Sequence, residues 1–150
     1  MAGLITRNLV ADKKKQDEGV WIDIGLDTER DPHVLTRIKV LRIGGSNKDF
    51  KKEYAKLGKK FSMMRGNKDA LQEKAMMEAV CNTCIMGWEN MENINPQVEG
   101  QPPKAEYMPF TPENAMKLFT YSPDTYDIVI AQGTELENFQ SDSNQELGKN

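Results

Sequence analysis

Ala75-Met76-Met77-Glu78-Ala79-Val80-Cys81-Asn82-Thr83-Cys84-Ile85-Met86-Gly87-Trp88 is an apolar-rich run that contains both cysteines of the chain. Met77, Cys81, Cys84 and Trp88 recur in it at helical spacing. That pattern predicts a helix from about Lys68 to Trp88 with this face buried. A structural zinc site needs four ligands, usually two close pairs of Cys or His. Here there is one pair, and His33, the single histidine, could add only a third ligand. A redox Cys-x-x-Cys opens a helix, where the dipole lowers the thiol pKa, whereas this one lies inside the run. Read as small hydrophobes, the cysteines supply packing. No enzymatic role, no cofactor and no metal is then expected.

Outward from that run, other helices follow from spacing and caps. Asn47 can cap a helix reaching about Phe61, with Phe50, Tyr54, Leu57 and Phe61 as its apolar stripe. Lys48, Lys52, Lys56 and Lys60 step along another face of it, and Gly58 weakens it by roughly 1 kcal/mol relative to Ala. Thr111-Pro112 opens a third helix that ends near Tyr121. Ser122-Pro123 opens a fourth that ends near Phe139, with Tyr126, Val129, Ile130, Gly133 and Leu136 along one face. Glu89 to Pro109, carrying Pro96, Gly100, Pro102 and Pro103, reads as a loop.

The N-terminal part reads differently. Val20-Trp21-Ile22-Asp23-Ile24 is β-branched and aromatic, as is Leu35 to Ile43, and turn residues separate the two. An antiparallel hairpin is the simplest arrangement, with a third strand from elsewhere to support it, since an isolated hairpin is marginal. The fold class is therefore α+β: an N-terminal β-hairpin or small antiparallel sheet on a bundle of about four helices. Residues 1–18 are expected to be a mobile charged segment, 19–139 a single domain, and 140–150 a disordered polar tail.

At 150 residues the chain can hold one sizeable core. Its mean hydropathy of -0.66 suits a soluble domain. Neither a membrane span nor an export signal is read, so the expected site is the host cell cytoplasm, without membrane contact. The net charge of -3 conceals a split. Residues 1–66 carry 15 Lys and Arg against 9 Asp and Glu, and residues 67–150 carry 5 against 14. Such a split suits a charged partner, nucleic acid or self-association.

Each motif that suggests chemistry has a simpler explanation. Gly44-Gly45-Ser46-Asn47-Lys48 matches neither phosphate-binding pattern and reads as a turn with a helix cap. His33 has no nucleophile at a recognisable spacing. Glu135 with Glu137 and Asp124 with Asp127 fall on exposed helical positions. The lysine stripe could grip phosphates, but the aromatics beside it have core spacing, so no base-stacking platform is visible and nucleic acid is not expected. If DNA did bind, affinity would fall steeply with salt, and Lys52→Glu with Lys56→Glu would abolish it. Most informative are the nine methionines, of which all but Met1 cluster in the helical part. Methionine fills gaps in soft cores and also lines faces that accept varied apolar partners.

Taken in order, Glu18-Gly19-Val20-Trp21-Ile22-Asp23, Arg42 and Asn47, the segment ending Gly87-Trp88, Gly100-Gln101-Pro102, and Pro109-Phe110-Thr111-Pro112-Glu113-Asn114-Ala115 form a pattern. It resembles the small tail assembly chaperones of long-tailed, siphovirus-like bacteriophages, over about residues 18 to 139. Two loops, Glu29 to Val34 and Glu89 to Pro109, are longer than that pattern. The resemblance implies a non-catalytic factor that binds the tape measure protein, shields its apolar helices and helps recruit tail tube subunits during virion assembly. Architectural roles are expected for Trp21, Gly87, Trp88, Glu113, Asn114 and Ala115. Partner contacts are expected at Met76, Met77 and Met116, and at Lys52 and Lys56. A virion structural protein of the tail or head-tail junction is the alternative, and a nucleic-acid-binding module ranks below it.

Overall fold

The computed structural model describes residues 12–140. The first part of the charged lead-in, residues 1–11, and the polar tail from Ser141 lie outside the described residues.

β1 (Val20–Asp27) and β2 (Val34–Val40) form the expected antiparallel hairpin, with Ile24 as an extra residue that breaks the register between Asp23 and Gly25. β2 is central, because a third strand, β3 (Ile85–Glu89), pairs antiparallel along its other edge. Helical spacing alone carries the cysteine helix on to Trp88, but in the structure these residues form a strand instead. That helix stops at Thr83, and Cys84 caps it. Met86 is then the residue left out of register, since Val40 opposes Ile85 and Lys39 opposes Gly87. Ile22, Ile38 and Trp88 lie opposite one another on the face turned to the helices. Trp21, Lys39 and Gly87 form the equivalent row on the outer face.

Among the described residues, five α-helices complete the α+β architecture. α1 (Lys13–Glu18) occupies the described part of the charged lead-in. The Asp12 N–H donates to the Phe139 carbonyl at 2.6 Å and Lys15 Nζ donates to the Gln140 carbonyl at 2.8 Å, so α1 rests on the other end of the described chain. Gln140, the first residue of the expected tail, is itself buried.

α2 (Lys48–Ser62) and α3 (Lys68–Thr83) form a helical hairpin, each capped by an asparagine, Asn47 or Asn67. Asn47 Oδ1 accepts from Phe50 N at 3.1 Å and its Nδ2 donates to the Arg42 carbonyl at 2.8 Å, so one side chain starts α2 and fixes the turn before it. Gly44 and Gly45 supply the positive φ values of that turn.

α4 (Pro112–Tyr121) and α5 (Pro123–Thr134) begin where their Thr-Pro and Ser-Pro signals put them. α5 ends earlier than the sequence suggested. Glu135 is extended, and Leu136–Phe139 is a 3-10 turn. This bend drives Phe139 fully into the core.

The core lies between the sheet and the helices. Ile22, Ile38, Val40 and Ile85 of the sheet meet Leu57, Val80, Phe119 and Val129 of the helices. A large apolar side chain so buried contributes roughly 1.5–3 kcal/mol. Between β3 and α4 the long loop folds on itself: Met91 and Met108 are buried, Met108 N donates to the Met91 carbonyl at 2.7 Å, and Glu92 bridges to Tyr107.

Candidate functional site

Met76 and Met77 lie on α3 and Met116 on α4, far apart in the sequence, and the fold brings all three to one groove. The local cause is the corner between α4 and α5. Ser122 ends α4, its N–H bonded to the Leu118 carbonyl at 2.7 Å, and its hydroxyl accepts from Thr125 N at 3.4 Å to start α5. Pro123 at the first turn cannot continue α4. The chain therefore turns sharply, and the start of α5 forms a second wall beside α4 while α3 forms the other side.

The groove has a volume of about 590 Å³. Met76, Met77 and Met116 are half-buried in it, and the rings of Phe119 and Tyr126, 5.2 Å apart, lie at its base. Ala70, Thr120 and Pro123 extend the walls, and Glu73, Lys74 and Asp127 stand at the rim. Its apolar character shows in the groups beside it. Burial, and then the charges of Cys81, Asp127 and Glu73, push the Tyr126 phenol up to about 12. Burial likewise pushes the Cys81 thiol to about 12 and the Cys84 thiol to about 11. Both cysteines are free and fully buried. Thiols in this setting are held in the unreactive neutral form at neutral pH.

Lys52 and Lys56 are not part of this groove. They are exposed on α2, on a face with Lys48 and Lys60. Among the described residues no three His, Cys, Asp or Glu side chains converge as a metal cluster, and His33 is exposed in the β1–β2 turn. No helix among the described residues is long and apolar enough to cross a membrane.

The motif residues lie outside the groove lining. Trp88 Nε1 donates to the Met108 carbonyl at 2.7 Å and its ring meets Phe110 edge-on at 5.1 Å. Asn114 Nδ2 donates to the Pro109 carbonyl at 3.0 Å, and Ala115 is fully buried. Glu113 stands in the first turn of α4, where the helix dipole favours a carboxylate. Trp21 lies on the outer sheet face under the Arg37 guanidinium, 4.6 Å from its ring centre.

Sequence reasoning missed Phe119, Thr120 and Pro123 as groove residues. Phe119 and Thr120 stand three and four positions after Met116, so their shared face was visible, but nothing local says that this face opposes α3.

A family model described as YdaY prophage protein matches residues 45–150, a span that takes in α2 to α5 and the whole groove but neither β1 nor β2. No curated protein and no solved structure matches the chain.

Proposed function

The chain belongs to the YdaY prophage protein family, and from that premise we propose that it is a tail assembly chaperone: a non-catalytic protein that binds the tape measure protein and helps recruit tail tube subunits. The observation that carries this reading is the groove in which Met76, Met77 and Met116 meet. An amphipathic helix docks by laying its apolar face into such a groove. Methionine suits the task because its unbranched, polarisable side chain repacks against successive apolar surfaces of different shape. A chaperone of a long, repetitive helical protein needs that tolerance more than it needs tight complementarity. The resemblance of the Trp21 to Ala115 motifs to tail assembly chaperones adds a second, independent line of support.

Two partners call for two surfaces. The methionine groove is assigned to the tape measure protein. The lysine face of α2, with Lys52 and Lys56, lies outside it and is free to meet a second protein such as the tube subunit.

The test is co-expression with the tape measure protein of the same prophage, followed by a solubility assay and affinity pull-down. The tape measure protein should become soluble and co-purify with the full chain, and Met76→Glu with Met116→Glu should remove both effects while circular dichroism stays unchanged. An insoluble tape measure protein, with this chain recovered in purified virions at stoichiometric copy number, would make it a structural component instead.

A further inference from the structure

We infer that the groove selects its occupant by charge as well as by apolarity, and that the occupant is an amphipathic helix of another protein whose apolar face is flanked by lysine or arginine. The inference rests on the groove being a docking site and adds the chemistry of what docks.

The rim carries Glu73 on α3 and Asp127 on α5, two of the helices that line the groove. Both are exposed, and among the described residues neither is paired in a salt bridge. Both act on the same Tyr126 phenol at the base, so their fields overlap over the groove. Lys74, the one cation at the rim among the described residues, has its ammonium 5.6 Å from the centre of the Phe61 ring and is thereby drawn toward α2. α4 and α5 together add Glu113 and Asp124 against Lys117 alone. The mouth of the groove is therefore acidic, and a helix with acidic flanks would meet like charge at the rim.

A second copy of this chain is a poor occupant. Its lysine-rich helix, α2, has the right charge, but its apolar stripe of Phe50, Leu57 and Phe61 is buried in its own core. To offer that stripe, the copy would have to unfold. The complementary helix must come from a different protein, one whose apolar face is free before binding.

The probe is a synthetic amphipathic peptide of roughly 18 residues, long enough for several helical turns, with a leucine and methionine face and lysine flanks. Its twin carries glutamate at every flanking position. Fluorescence anisotropy against the full-length protein should show the lysine peptide binding about tenfold tighter at low salt, as expected for two or three exposed charge pairs. That preference should shrink as salt shortens the screening length below ~8 Å. Glu73→Lys with Asp127→Lys should reverse the order of the two peptides, and the neutral pair Glu73→Gln with Asp127→Asn should erase it.

Equal binding of the two peptides would overturn the charge rule and leave the docking groove standing. Binding of neither would overturn both. Displacement of either peptide by self-association of the protein, seen by sedimentation, would make the occupant a second copy and overturn the inference.

Discussion

Cys81 and Cys84 are fully buried, and burial raises both thiols from about 9 to about 12 and about 11. The unfolded chain therefore loses its thiol protons first as pH rises. Above about pH 9 the native state binds more protons than the unfolded state, so stability must fall with pH up to about pH 12. Denaturant midpoints measured at pH 7 and pH 10 should show that fall, and Cys81→Ala with Cys84→Ala should remove most of it, the raised Tyr126 phenol leaving a smaller slope, even though the cavities lower stability at both values. A second residue reports on packing. Gly133 is buried in α5, and a Cβ there would come within 2.6 Å of Ile43 Cδ1 and 2.8 Å of Ile43 Cγ1. Gly133→Ala should cost about 1–3 kcal/mol through overpacking, against the roughly 1 kcal/mol gain that alanine usually brings to a helix. In an Ile43→Ala background most of that cost should vanish, as a double-mutant cycle would show.

Among the elements, β3 is the instructive one. The repeat of Met77, Cys81, Cys84 and Trp88 continues smoothly across Thr83 and hides the end of α3, because no glycine or proline stands at the boundary. What ends the helix is remote: β2 has an open edge, and pairing Ile85 to Glu89 with it satisfies that edge and buries Ile85. Substitution at Gly87 separates the two readings. A helix prefers alanine to valine, a strand prefers valine, and nothing lies within 4 Å of a Cβ built on Gly87. Gly87→Val should therefore be more stable than Gly87→Ala by several tenths of a kcal/mol in thermal melts. The opposite order would argue for a helix. Elements with local signals were legible from sequence: Asn47, Thr111-Pro112 and Ser122-Pro123 mark their helices to within a residue. Elements decided by a distant partner were not, and α1, which packs on Phe139 and Gln140, is another of that kind. The groove is intermediate. Its methionines were singled out by composition, but that Met116 lies with Met76 and Met77 follows only from how α4 and α5 fold against α3.

At the scale of the whole molecule, two features are distributed unevenly. Positive charge gathers in residues 1–66, with its densest row on α2, and negative charge gathers in the half that contains the groove. Apolar surface is uneven too: the methionines open to solvent between α3 and the α4–α5 corner, while the sheet shows only Trp21, Leu26 and Met86 outside. A protein built this way presents a soft apolar cleft with an acidic rim on a frame stiffened by the sheet and the partly buried Trp88–Met108 hydrogen bond. The proposed chaperone action needs the cleft itself to hold the tape measure protein. Site-specific photo-crosslinking asks this directly: a photo-reactive phenylalanine analogue is placed at Met77, or at exposed Val98 as a control, in full-length protein co-expressed with that partner. An adduct with the tape measure protein from position 77 and none from position 98 is the expected result. A co-purifying partner that crosslinks at position 98 and never at position 77 would contradict it.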